Sequence, residues 1–363
     1  MTKRRIAITA VLTAVAIALT GCSNLDKTSG MLEGGEHTEG FVGVILPDTT
    51  LPRWEKADSR FLQTAFDAAG IKVDIQNAMG NSATFTTIAN HMMEAGAKVL
   101  ILASLDSEST KGVQEKAATI GVKTIDYDRL TLNGSASYFV SFDDKAVGRL
   151  QGEGIKACLN AAGKMKARIV YLNGAPTDSN TPLLKAGLES VLRPLIDAGN
   201  YTLVDDASVP NWDPVQAGDI FEQQLSKAGG KLDAVVATGE GLGLAAVAVL
   251  KRNNLNGKVC VSGQGARIEG LRAILTGDLS NTVYKAIKAE ADGAATLAMA
   301  LLMGTTPTTI TGSVNNGRIN VPSVLIEAVA ITKANVKDVI ADGYQKREDV
   351  CAGIEELCRA NGI

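Results

Sequence analysis

From residue 41 almost to its end, the chain alternates between two patterns. Short β-branched runs are followed by amphipathic stretches of 12–20 residues. Strand candidates fall at 41–46, 72–76, 98–103, 122–127, 138–141, 167–172, 201–204, 233–237, 258–262, 281–284 and 323–331. Helical patterns fall at 54–69, 84–95, 109–120, 145–162, 182–198, 214–228 and 243–252. Several of the short runs are near-continuous Val, Ile and Leu, as in strands buried on both faces. Repeated βα units of this kind predict parallel sheets with helices on both sides. About ten such strands exceed one comfortable sheet. The expected fold class is therefore α/β, with two doubly wound parallel-sheet lobes.

In open α/β sheets, ligands bind at the carboxyl ends of strands. The residues there are unusual. They include Arg53 and Trp54, Asp106, Asp128 and Arg129, and Phe142, Asp143 and Asp144. Further along come Asp178 and Asn180, Trp212, Glu240, Gln264 and Lys285. The chain has 2 tryptophans, and both fall in these loops. Helix capping explains an isolated Asp or Asn, but Arg53, Arg129, Gln264 and Lys285 are poor caps. Carboxylates, amides and guanidinium groups beside aromatic faces suit sugars. Sugar hydroxyls both donate and accept, and sugar C–H faces lie on indoles. Trp54 and Trp212 are expected on opposite sides of a sugar ring. Plainer roles exist for the same residues. Trp54 could be a helix-start core residue and Trp212 the hydrophobic partner of a helix N-terminus. Asp106, Asp143 and Asp144 could be N-caps, Asp178 a turn former, and Arg129 a partner of Asp128.

Composition limits the alternatives. Hydrophobic residues make up 45% and charged residues 21% of the 363, as in a globular chain. Net charge is −3, and removing Lys3, Arg4 and Arg5 takes it to about −6, which argues against nucleic acid as a partner. The 2 histidines, His37 and His91, form no zinc-spaced cluster. No G-x-S-x-G elbow or calcium loop occurs. The run Gly241-Leu242-Gly243-Leu244-Ala245-Ala246 formally fits a dinucleotide motif. Glu240 just before it would repel a pyrophosphate, so its glycines are read as allowing close helix–strand packing. No cofactor and no metal is expected. A glycosidase using paired carboxylates stays open.

The first 22 residues bear on location. Three cations precede an uncharged, mostly apolar run at 6–19, followed by Leu19-Thr20-Gly21-Cys22. This is the form of a secretory signal peptide, and it is shorter than the roughly 20 residues of a spanning helix. Its end resembles the lipobox of bacterial lipoproteins, which implies a signal peptide over 1–21 and lipidation at Cys22. Residues 22–39 read as a flexible tether. In an oxidising compartment, Cys351 and Cys358 are expected to form a disulfide, which requires the chain between them to turn. Cys158 and Cys260 read as small buried thiols.

The strand-end segments also resemble a known family. They are Arg53-Trp54, Tyr127-Asp128-Arg129-Leu130, Ser141-Phe142-Asp143-Asp144, Gly174-Ala175-Pro176-Thr177-Asp178-Ser179-Asn180, Trp212, Ser262-Gly263-Gln264 and Val283-Tyr284-Lys285. Together they resemble the sugar-binding proteins of ABC importers of the ribose- and galactose-binding type, in particular the D-xylose-binding group. The resemblance implies a monomer of two similar lobes joined by three chain crossings, near Asp143, Lys285 and Asn320. The N-terminal lobe would hold 40–142 and 286–319, and the C-terminal lobe 143–285 and 320–363. It implies no catalysis, a monosaccharide ligand bound by hinge closure, and an ABC permease as partner. Arg53, Asp128, Arg129, Asn180, Gln264 and Lys285 would bond hydroxyls, while Trp54, Phe142 and Trp212 pack on the ring. The xylose group carries Asn-Asp where this chain has Gly239-Glu240, and Gly-Gln-Asp where it has Gly263-Gln264-Gly265. The cleft should then be roomier near Gly265, for xylose, another pentose, a hexose or a substituted sugar. A lipid tether beside a permease fits a Gram-positive cell surface. A sensor presenting its ligand to a membrane receptor would share all of these features.

Overall fold

The computed structural model describes residues 40–363. The expectations for the signal segment 1–21, Cys22 and the tether 22–39 lie outside the described residues. Lobe 1 opens with β1 (Phe41–Leu46), whose FVGVIL run is almost wholly buried, as a central parallel strand requires. A π-helical turn at Trp54–Asp58 leads into α1 (Ser59–Ala69). Then follow β2 (Val73–Asn77), α2 (Ser82–Glu94), β3 (Ala97–Leu102), α3 (Ser107–Thr119), β4 (Lys123–Tyr127) and β5 (Tyr138–Phe142). The chain crosses into lobe 2 with α4 (Asp144–Ala161), β6 (Ala167–Asn173), α5 (Asn180–Asp197) and β7 (Tyr201–Ser208). There α6 (Pro214–Lys227), β8 (Ala234–Ala237), α7 (Glu240–Arg252), β9 (Cys260–Val261), α8 (Ile268–Thr276) and β10 (Thr282–Tyr284) complete the winding. The chain returns to lobe 1 with α9 (Ile287–Met303), β11 (Gly312–Asn315) and β12 (Asn320–Ile326). It ends on lobe 2 with β13 (Val329–Ile331), α10 (Val336–Ala341), α11 (Arg347–Cys351) and α12 (Glu355–Ala360).

Lobe 1 has a seven-stranded sheet of order β11-β12-β5-β4-β3-β1-β2, parallel except for the edge strand β11. Lobe 2 has a parallel four-stranded sheet of order β7-β6-β8-β9, with a two-stranded β10-β13 ribbon beside it. The two doubly wound lobes expected from the alternation are both present. Among the described residues no helix is long and apolar enough to cross a membrane.

Three expectations need correction. The run 323–331 is two strands in different sheets. β12 pairs parallel with β5 of lobe 1, while β13 pairs with β10. The third crossing therefore lies at Glu327–Ala328 rather than at Asn320, and residues 320–326 belong to lobe 1. Cys158 and Cys260 are not free thiols: they are bonded to each other across 102 residues, tying α4 to β9. Cys351 and Cys358 are bonded as expected, because the chain turns between α11 and α12. In the glycine-rich run, a Cβ on Gly243 would stand 2.6 Å from the Ser262 carbonyl oxygen. That glycine serves close packing of α7 on the strand end.

Candidate functional site

The strand ends of both lobes converge on a cavity of about 90 Å³. Ten of the candidate residues line it: Arg53, Trp54, Asp128, Arg129, Asp178, Asn180, Trp212, Glu240, Gln264 and Lys285. Asp106 and Asp143 do not. Asp106 caps α3, accepting from the Ser109 N–H at 2.8 Å and the Ser82 hydroxyl at 2.6 Å. Asp143 caps α4 through the Ala146 N–H. Both are corrected from ligand contacts to N-caps. Phe142 is buried behind the wall, with the Lys285 ammonium 4.8 Å from its ring centroid. It supports Lys285 and does not face the cavity.

Arg53 is the centre of the lobe 1 wall. Its guanidinium donates to Asp58 through two nitrogens (2.8 and 2.7 Å), to Asp128 (2.6 Å) and to Glu290 (2.8 Å). Asp58 also accepts from the Tyr127 hydroxyl at 2.7 Å. Asp58 lies one turn beyond Trp54, and Glu290 lies on the buried face of α9. Neither was among the candidates. Burial would weaken the charge of Arg53, but Asp128, Asp58 and Glu290 overcome this and hold it more firmly cationic. Burial likewise pushes the Asp128 carboxyl up, yet Arg53, Lys285 and Arg129 together hold it well below the usual carboxylate range. Glu290 moves the other way, because its burial outweighs Arg53. The Arg53 and Arg129 guanidinium groups lie 4.4 and 5.4 Å from the Trp54 ring centroid.

Bonds cross between the lobes. The Asn180 amide donates to the Asp128 carbonyl (3.0 Å) and carboxylate (3.2 Å). Lys285, in the second crossing, donates to Asp128 at 3.0 Å and stands 3.8 Å from Asp144. Asp144 is buried, which raises its carboxyl to about 8 despite Lys285. It is the first residue of α4 and not its cap, a role held by Asp143. Arg129 Nε is 2.9 Å from Asp178 Oδ2 but misaligned for a hydrogen bond, so that contact is one of charge.

Trp212 sets the opposite wall. Its indole N–H donates to Asp178 at 3.0 Å. Trp212 and Asn211 both adopt left-handed backbone, at φ 57° and 55°, a costly geometry for a bulky residue that aims the ring across the cleft. The floor beneath it is Gly174, where a Cβ would lie 2.1 Å from the ring. Glu240 lines the cavity but is engaged. Its Oε1 accepts from the Thr282 hydroxyl (2.5 Å) and its Oε2 from the Arg267 backbone N–H (2.9 Å). Burial raises its carboxyl, with Arg267 opposing. Arg267 and Tyr344 also line the cavity and were missed. Three wall atoms are buried without a partner among the described residues: Trp54 Nε1, Asn180 Oδ1 and Gln264 Oε1. Each costs on the order of 1–3 kcal/mol unless a partner meets it. Among the described residues no cluster of His, Cys, Asp and Glu could hold a metal ion.

Residues 42–306 match the family described as periplasmic binding protein domain. The chain belongs to that family. The match covers well over half of the chain. The chain is 33% identical to the D-xylose-binding periplasmic protein of Escherichia coli (strain K12), over 92% of this chain and 98% of the relative. It is 30% identical to the multiple sugar-binding periplasmic receptor of Rhizobium radiobacter, over 92% and 98%. Among solved structures, an ABC transporter solute-binding protein from Clostridium phytofermentans, with bound β-D-glucose, superposes with a TM-score of 0.79 at 28% identity. That match covers 85% of this chain and 99% of the other. This periplasmic binding protein is of the type I, sugar-binding kind, similar to the xylose-binding members, and its relatives are binding proteins rather than enzymes. The family name also places the chain outside the cytoplasm.

Proposed function

We propose that the protein is the extracytoplasmic binding component of an ABC sugar importer. It takes a monosaccharide, xylose or a related pentose or hexose, into the cleft by hinge closure and delivers it to a membrane permease. Arg53, Asp128, Arg129, Asn180, Gln264 and Lys285 are the hydroxyl contacts in this reading, and Trp54 and Trp212 pack against the ring. The single observation that carries it is the interlobe cavity, which combines two indoles with buried polar atoms that have no partner. Such a wall suits a ligand rich in hydroxyls with an apolar ring face. Relatives at 30–33% identity that are named for sugars support the same ligand class. In this reading Cys22 carries the lipid that keeps the monomer beside its permease, on a Gram-positive surface.

The test is a thermal-shift screen of pentoses and hexoses. A ligand at about 100 times its Kd adds about 2.7 kcal/mol of stability. A shift with at least one monosaccharide is expected. No shift with any would sink the sugar assignment.

A further inference from the structure

A second cavity, of about 250 Å³, adjoins the first. Arg53, Pro52, Arg267 and Tyr344 line both, so the two meet at those side chains. The contacts assigned to a monosaccharide ring leave this space unused. Besides Arg53, its charged walls are Lys56, Arg60, Arg267 and Lys346, against Glu269 and Asp349. Neither carboxylate comes within ion-pair distance of those cations among the described residues. Arg53 is matched by Asp58, Asp128 and Glu290, and Arg267 by Glu240, so Lys56, Arg60 and Lys346 against Glu269 and Asp349 leave a small positive excess at the wall.

Arg267 stands at the junction. Its backbone N–H donates to Glu240 at 2.9 Å, and its Nε lies 3.4 Å from the same oxygen. Glu240 is itself fully buried and held by Thr282. The neck of the guanidinium is therefore fixed. Its two terminal nitrogens make no hydrogen bond among the described residues, and the side chain is 24% exposed. A planar guanidinium fork with free N–H groups matches carboxylate or phosphate oxygens. A second neutral sugar ring would call for an aromatic floor, and Tyr344 is the one aromatic wall here.

We propose that the ligand is a monosaccharide bearing one anionic group, a carboxylate or a phosphate. Its ring lies in the first cavity and its anion meets the free fork of Arg267 in the second. This rests on the monosaccharide reading above. The test is calorimetric titration of the full chain with D-glucose, D-galactose and D-xylose beside D-glucuronate, D-galacturonate and D-glucose 6-phosphate. At low salt, at least one acid is expected to bind tenfold or more tightly than its parent sugar, and added salt should shrink that advantage. Arg267→Gln should abolish the advantage. The exposed pair Lys56→Gln and Arg60→Gln should reduce it about threefold even if Arg267→Gln fails to fold. Parent sugars that bind while no acid binds better overturn this proposal and leave the monosaccharide reading standing. An acid advantage that survives Arg267→Gln also overturns it. If no sugar binds, neutral or acidic, both readings fall.

Discussion

Lobe 1 rests on seven strands and holds no disulfide among the described residues, whereas lobe 2 rests on four plus a two-stranded ribbon and holds both. The cleft shows a second contrast. Lobe 1 presents a cross-linked ionic wall: Arg53 binds Asp58, Asp128 and Glu290, and Trp54 is continuous with the apolar core below. Lobe 2 presents amides, Trp212 and the Glu240–Arg267 pair. The smaller sheet does not mean a smaller core, since the largest apolar cluster and a second one belong mainly to lobe 2; there the disulfides fasten α4 to β9 and α11 to α12. The wider sheet supports a buried charge lattice without them.

The largest expected effect tests the covalent half of this contrast. Removing the Cys158–Cys260 bond (Cys158→Ser with Cys260→Ser) opens a loop of 102 residues, worth about 4–5 kcal/mol in the chain-entropy account. Lobe 2 should then unfold first in urea, read by hydrogen exchange on β6 and β8. If β1 and β3 lose protection equally, the lobes are one cooperative unit and the contrast fails. Next is Arg53→Ala, which strands three carboxylates. A loss of about 3–5 kcal/mol is expected, on top of weaker sugar binding. This departs from the sequence view of Arg53 as a ligand contact alone. An unchanged denaturation midpoint would mean the lattice does not hold lobe 1.

Trp212→Ala should weaken sugar binding tenfold or more, about 1.4 kcal/mol, with a smaller effect on stability than Arg53→Ala. Equal affinity in calorimetry would remove Trp212 from the ligand wall. The last effect concerns pH. Asp144 titrates at about 8 in the folded chain, against about 4 unfolded. The folded state therefore keeps a proton that the unfolded state releases. That contribution is complete below about pH 4 and disappears as pH rises toward 8. Asp144→Asn should flatten the fall in denaturation midpoint between pH 5 and 8. A slope identical to the parent's assigns the pH dependence to other groups.

Strand-end loops were legible because period and position coincide. Arg53, Asp128 and Gln264 each follow a recognisable run, and all reach the cavity. Asp106 and Asp143 follow runs too, but their side chains turn back onto helix N-termini. Sequence position cannot separate the two outcomes. Glu290 was hidden in a helix, yet a signal existed: it shares the buried stripe of Ile287, Ala291 and Ala294. Arg267 lies three residues past Gln264, just beyond where the loop was read. The Cys158–Cys260 link joins two elements whose neighbourhood depends on strand order, which no local pattern encodes. The run 323–331 hid a crossing because both halves are β-branched and only pairing separates them.

Trp212 and Gly174 occupy one shared volume. Neither position can evolve alone: a side chain at 174 displaces the indole, and a smaller residue at 212 leaves an empty slot above the glycine. Among relatives, the two positions should change together, so that a bulky 212 is paired with glycine at 174. Redesigning the cleft for a larger or smaller ring therefore means rewriting this pair as a unit.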